Sequence, residues 1–370
     1  IYEVENAIKS VTNAVFMEFS EPSKDDKIPT LTRNDALIKQ AECITDMYSV
    51  PNYHEMDPNR VVFFFFMLFM GVIMADIGYG IVMIALGIIL ASKVKIDNGT
   101  KRLWNVIAIG GVFTILFGVL FNSFFGFPVL PFTILASPTP DLETGAINLE
   151  TIMQLLLASL ALGIIQIAVG YFCKAINSFK NNDIVGGLTE GLVWVLFFIG
   201  MVCALFNFLC DYLKVGLSDK LRAFFDKVSM PGLIIVIVSL IIAAIGAGRN
   251  EKGFGKFSKG FGTVYGLINI MSDILSYARL FGLMISGMII SQTFNYKLGM
   301  PFIENGGVGF IIGGIIIVIG HIFNLGMSVL GAYIHDCRLQ YIEFFSKFYT
   351  GEGEKFTPLG SQTKYIYLTK

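Results

Sequence analysis

Two arginines stand inside apolar stretches of this 370-residue sequence. Arg279 lies in SDILSYARLFGLMISGMIISQTFN (272–295), and Arg338 lies in the apolar run 308–345. A guanidinium stays protonated in proteins, and holding one at a bilayer centre costs from about 3 to more than 10 kcal/mol. At about 100° per residue, Ser272, Ser276, Arg279, Leu283, Ser286, Ile290 and Thr293 share one face of a helix. Gly320, Asn324, Gly331, His335 and Arg338 share a face of the other, with Ser328 beside it. Each arginine therefore sits on a stripe of small or polar groups. A fixed cation can repel an ion from a neighbouring site, or attract that site's carboxylate once the ion has left, provided the acid comes within a few Å. That is the chemistry of an ion gate acting on a partner's acid. An ion pair with Asp76, Asp273 or Asp336, or snorkelling of Arg338 to the interface, would account for one arginine as well. Two of them, on polar faces of two consecutive long helices, favour the gate.

The elements that must hold these residues are membrane helices. Hydrophobic residues make up 54% of the chain and charged ones 15%, and the mean hydropathy is +0.68. These values define an all-α, polytopic membrane protein. Apolar runs fall at about 61–76, 78–92, 103–121, 151–173, 188–210, 231–247, 262–294 and 308–345, against a requirement of ~20 residues per span. The first two flank Asp76-Ile77-Gly78-Tyr79-Gly80 and read as a short hairpin whose turn the glycines supply. About eight transmembrane helices result, the last two long. Putting the N-terminus in the cytoplasm leaves ten Lys and Arg in the inner loops and five in the outer ones, so both termini are expected to be cytoplasmic. The domain reading is a cytoplasmic lead-in from an upstream domain over 1–60, an ion-translocation domain over 61–345, and a cytoplasmic tail over 346–370.

Several function classes drop out. A formal net charge of −1 argues against a nucleic-acid partner. No G-x-x-x-x-G-K-[ST] loop occurs; Gly253-Phe254-Gly255-Lys256 lacks the first glycine and the hydroxyl, so ATP is not bound by that route. The five cysteines have no ligand-type spacing and read as free core thiols, and no cofactor is expected. Residues 1–60 are polar and mixed, and no signal peptide is expected in them. His321 reads as a packed core histidine, and His335 as a group near a water path.

SDILSYARLFGL and GAYIHDCRLQYIEFFSKFYTGEG (331–353) closely resemble the two signature segments of the membrane domain of subunit a, or subunit I, of V-type and archaeal-type rotary ATPases. FMGVIMADIGYG (69–80) resembles that family's first hairpin, and the likeness covers about residues 60–358. The resemblance implies a non-catalytic stator whose last two long helices are tilted and embrace a rotating ring of c (K) subunits. Ions would then pass through two offset half-channels, with peripheral and central stalk subunits reached through an N-terminal domain. It further implies a prokaryotic plasma-membrane protein with lipid as its surroundings. Arg279 matches the family's essential arginine and Arg338 its supporting one. Asp76 matches the acidic position near the cytoplasmic half-channel, and Glu343 the segment where the last helix emerges. The half-channel candidates are then Asp76, Ser272, Asp273, Ser276, Ser286, Asn324, Ser328, His335, Asp336 and Glu343.

Proton-pumping eukaryotic relatives carry a histidine eight residues after the first arginine and a carboxylate ten before the second, where this chain has Gly287 and Ser328. Hydroxyls, carbonyls and water suit a hard cation, which favours Na⁺ over H⁺. An ion-coupled secondary transporter binding an anion at the arginines is the alternative, but the arginine segments have no repeat in the first half. A purely structural anchor for a stalk is a third reading. The depths of the arginines pose a problem. With a turn near Gly299, Arg279 lies ~30 Å below it, and Arg338 ~44 Å below the start of the last helix. Strong tilt or an extended outer connection must reconcile them.

Overall fold

The computed structural model describes residues 2–12, 14–19, 28–93, 98–129, 131, 135, 149–212, 218–249 and 254–356. Before the apolar region come α1 (Tyr2–Val11), β1 (Pro29–Thr30) and α2 (Ile38–Tyr48). Among the described residues six helical columns are long and apolar enough to cross a membrane, spanning Gly99–Phe121, Leu149–Lys180, Ile184–Tyr212, Asp219–Ala247, Gly255–Glu304 and Val308–Lys347. Two shorter apolar helices precede them, α3 (Asn59–Met74) and α4 (Ile77–Lys93). The chain is an all-α integral membrane protein whose long hydrophobic side chains face outward, as Ile234, Ile237, Ile241 and Ile245 do on α9 (Asp219–Ala247).

α3 and α4 form a splayed pair with α5 (Asn98–Phe121) wedged against both. Small residues allow the approach: a Cβ on Gly71 would lie 2.9 Å from the Phe113 backbone, and one on Gly80 2.7 Å from the Gly111 carbonyl. The turn is not made by the glycines, as the sequence suggested. Ala75 takes the left-handed conformation (φ 33°), Asp76 follows it, and Gly78 and Gly80 belong to α4. Their missing side chains make room for Phe125 and α5.

Beyond α5 the helices alternate in direction: α6 (Leu149–Lys180), then α7 (Ile184–Gly186) continued through a π-helical turn into α8 (Val193–Tyr212), then α9. The start of α3 and the end of the last column lie at one end of the bundle. There Thr45 Oγ1 donates to Asn59 Oδ1 (2.6 Å) and the Tyr341 hydroxyl donates to the Ile44 carbonyl (2.6 Å). At that end the chain also closes on itself. β1 pairs in parallel with β2 (Glu354–Lys355), Gly353 N–H donates to the Val50 carbonyl (3.0 Å), and Asn177 bridges Met56 N–H and the Phe348 carbonyl.

The run expected as one helix over 262–294 is broken. It comprises α10 (Phe254–Tyr265), α11 (Leu267–Ser276), α12 (Ala278–Gln292), a π-helical turn (Thr293–Gly299) and α13 (Met300–Glu304). α14 (Val308–Arg338) returns and ends in a further π-helical turn, Leu339–Phe344. The sharp reversal lies at Asn305–Gly307, where Gly306 (φ 68°) and Gly307 (φ 56°) take conformations that only glycine adopts readily, and not near Gly299.

Candidate functional site

α12 and α14 pack antiparallel in a register that the side chains fix. Gly287 meets the Ser328 hydroxyl at 3.4 Å from its would-be Cβ, Leu283 reaches Gly331 at 4.0 Å, and Lys347 Nζ bonds the Asp273 carboxylate. Arg279 accordingly faces residues 335–338, and the two arginines stand at one level. The depth discrepancy disappears because the first column continues past Gly299 through α13 while the start of α14 lies alongside it. Gly309, for instance, abuts the Phe302 carbonyl. The missing helical length was in α13.

Around Arg279 the helices bring together Ser276, His335, Arg338 and Glu343, which lie within electrostatic range of one another. Arg279 is half-buried and Arg338 is exposed on the outer face of the column. Among the described residues neither forms an ion pair. Arg279 Nη1, His335 Nδ1 and Glu343 Oε2 are buried atoms without a hydrogen-bond partner there. The three aspartates available as counterions all bond elsewhere, although Asp336 Oδ2 is buried without a partner among the described residues. Asp273 binds Lys347; Asp336 is wholly buried and accepts from Gln340 Nε2 (3.3 Å). Asp76 takes four donors: Oδ1 accepts from Tyr79 N–H (3.0 Å) and Phe125 N–H (3.0 Å), and Oδ2 from the Ser123 hydroxyl (2.6 Å) and Gly126 N–H (3.0 Å). Among the described residues, then, none of the three aspartates offered as ion-pair partners serves either arginine, and Glu343 is the carboxylate in electrostatic range of both. Arg279 is left with unspent hydrogen-bonding capacity, and Arg338 is exposed beside it.

The remaining polar positions divide by depth. Ser276, whose hydroxyl donates to the Ser272 carbonyl (3.2 Å), Asp273 and Glu343 lie toward the end of the bundle that carries the lead-in. Asn324 and Ser328 lie toward the opposite end, and Ser286 is exposed. Asp76 is also at that opposite end, beside Ser123 to Gly126. The expectation that it sits near the half-channel on the side of the termini is corrected by the direction of α3, which carries it to the far end of the bundle.

Sequence reasoning missed a buried hydrogen-bonded chain at that far end. Asn324 Nδ2 donates to the Gly287 carbonyl (3.0 Å) and to the Tyr79 hydroxyl (2.9 Å). Tyr79 contacts His321 Nδ1 (2.7 Å), His321 Nε2 contacts Asn295 Oδ1 (2.8 Å), and Asn295 Nδ2 donates to the Phe125 carbonyl (2.7 Å). The pattern is self-consistent for an imidazole that accepts at Nδ1 and donates from Nε2. His321 is thus hydrogen-bonded on both nitrogens and is not merely packed. Its partners come from α4 and the π-helical turn 293–299, 242 and 26 residues earlier in the chain, so no local spacing announces them. The five cysteines are free thiols, as the sequence indicated.

The chain is thus a polytopic helical membrane protein whose two intramembrane arginines, without an ion pair among the described residues, lie on facing antiparallel helices. The sequence pattern of the V-type ATPase 116kDa subunit family matches residues 1–137 and 262–361, and the chain belongs to that family. It is 30% identical over 375 residues to the A-type ATP synthase subunit I of Pyrococcus horikoshii, covering 98% of this chain and 52% of the relative. It is 30% identical over 380 residues to that of Methanocaldococcus jannaschii (96% and 52%), and 24% identical over 350 residues to the V-type ATP synthase subunit I of Borreliella burgdorferi (91% and 55%). The chain thus spans about half the length of these relatives.

Proposed function

We propose that this chain is the ion-translocating half of the stator subunit of a rotary V/A-type ATPase, itself non-catalytic and coupling ATP hydrolysis in partner subunits to cation transport. The observation that carries this reading is the pair Arg279 and Arg338, at one level on facing helices with no ion-pair partner among the described residues. A permanent cation that forms no ion pair among the described residues of its own chain is available to a carboxylate on a partner that moves past it. The partner is the rotor ring of c (K) subunits. Arg279 separates two half-channels and Arg338 assists it.

Ser272, Asp273, Ser276 and Glu343 would serve the half-channel on the side of the termini, which is the cytoplasm. His335 lies beside the gate. Ser286, Asn324, Ser328 and Asp76 would serve the outer half-channel. Asp336 is the candidate that this arrangement uses least, since its carboxyl points into the protein. Eight spans, the last two tilted against the ring, and a prokaryotic plasma membrane complete the proposal; the stalk subunits would be reached through the part of the subunit upstream of this chain.

The test is Arg279→Gln and Arg279→Lys in the assembled complex, with ATP-driven ion uptake and assembly measured together. Assembly with loss of uptake is the expected result; normal uptake sinks the gate. The absence of a relay acid or histidine at Gly287 and Ser328 supports Na⁺ as the ion. ATPase activity that rises with Na⁺ at fixed pH is the expected outcome, and indifference to Na⁺ reverses the choice.

A further inference from the structure

One layer behind the arginines lie four wholly buried polar side chains, Tyr277, Gln166, Gln340 and Asp336, three of which the gate does not use. They form a single chain. The Tyr277 hydroxyl donates to Gln166 Oε1 (2.7 Å), Gln166 Nε2 donates to Gln340 Oε1 (2.8 Å), and Gln340 Nε2 donates to Asp336 Oδ1 (3.3 Å). Gln166 comes from the middle of α6, so its one amide touches both gate helices, accepting from one and donating to the other.

The places it touches are the two breaks in those helices. Tyr277 is the residue between α11 and α12, two before Arg279; its N–H reaches the Ile274 carbonyl at 3.1 Å, a three-residue step. Gln340 sits in the π-helical turn, two after Arg338. An unbroken ladder of i to i−4 bonds sets the rotation of a helix by itself, and a break releases that constraint. At about 100° per residue, a slip of one position would carry either guanidinium off the shared face. Gly163, one turn before Gln166, lets the Tyr277 ring lie against α6, since a Cβ there would be 2.5 Å from the ring.

We infer that Gln166 is a positioning residue for both arginines, bolting the break before Arg279 to the turn after Arg338. This rests on the gate reading of the arginines. The full-length subunit in its assembled complex is the system for the test, with ions taken up per ATP hydrolysed as the first readout. The second is the rate of disulfide formation between Leu283→Cys and Gly331→Cys in a background without the five native cysteines. This pair reports the register of the two helices.

Gln166→Met keeps the length of the side chain and removes both bonds. It is expected to lower uptake per ATP about tenfold or more, a size typical of small misplacements in a reacting geometry, and to slow the cross-link. Unchanged uptake, or lost uptake with an unchanged cross-linking rate, overturns the positioning role. Should Gln166→Met reduce assembly, Tyr277→Phe decides. It breaks one of the two bonds, so uptake per ATP should fall by about two- to fivefold, and no change overturns the role. Normal uptake in Gln166→Met beside a dead Arg279→Gln removes this inference alone, whereas normal uptake in Arg279→Gln removes the gate itself.

Discussion

Asp76 offers the sharpest numerical test, because its two carboxylate oxygens share four donors evenly, two on Oδ1 and two on Oδ2. The residue is 3% exposed, so water does not replace what is removed. In Asp76→Ala the N–H groups of Tyr79, Phe125 and Gly126 lose their acceptor, while the Ser123 hydroxyl can rotate to another. At about 1–3 kcal/mol for each orphaned buried donor, three of them give about 6 kcal/mol. In Asp76→Asn the amide oxygen keeps Tyr79 and Phe125. The new NH₂ can donate to Ser123 Oγ, and only Gly126 N–H is orphaned, which costs about 2 kcal/mol. The order of thermal stability is therefore wild type, then Asn, then Ala, with the larger gap between the two variants. Heating the detergent-solubilised complex and following the subunit by size-exclusion chromatography measures it. Two variants of equal stability would refute the four-donor account. An Asn variant as stable as wild type but without ion uptake would mean that Asp76 handles ions instead of fastening the turn.

Other perturbations follow from the same geometry. Gly163→Ala places a methyl group 2.5 Å from the Tyr277 ring and should cost about 1–3 kcal/mol by overpacking, seen as a lower melting temperature. Glu55 holds the turn after the last helix, accepting from Thr350 N–H (2.9 Å), its hydroxyl, and Gly351 N–H (3.2 Å). Glu55→Ala should therefore speed proteolysis within 349–356, and an unchanged cleavage rate counts against that clasp. Gly353→Ala should do the same, because its Cβ would meet the Pro51 carbonyl at 2.2 Å.

The Arg249 guanidinium, helped by Gly186 N–H, holds the Asp183 carboxyl below its ordinary 3.8, at a site outside the spans. Because the folded state binds the proton less readily than the unfolded chain, this contribution is present above the ordinary value and is lost as pH falls through the lowered one. Melting temperatures of wild type and Asp183→Asn should differ by a constant amount from about pH 7 to about pH 5 and converge below 3.8. A gap that persists in acid would assign the effect to the amide's poorer capping of α7.

The class of this protein was legible at low resolution in the letters. Long unbroken apolar runs mark helices because a lone segment in a bilayer can satisfy its backbone groups only within itself, and a guanidinium within them stands out because its charge cannot be discharged. Each run predicted over 61–345 falls on helix, and the polar stripes around Arg279 and Arg338 follow from periodicity alone. Periodicity is a property of one helix, however. The turn of the first pair went to Ala75 and Asp76 because four donors from residues 79–126 converge on one carboxylate, which no local pattern records. Likewise, the depth of Arg338 relative to Arg279 depended on where the chain reverses, and α13 moved that point by several residues.

Sequence alone determined that two unneutralisable charges lie in membrane helices with small and polar neighbours. Only the tertiary structure decided that they stand at one level on facing helices, that Asp76, Asp273 and Asp336 bond elsewhere than to them, and that Gln166 joins the two breaks beside them. The reason is physical: covalent order fixes which side chains share a face, while the pairing of faces, and hence which charge is left without a partner, depends on contacts between residues more than 100 positions apart, such as Gln166 with Tyr277 and Gln340.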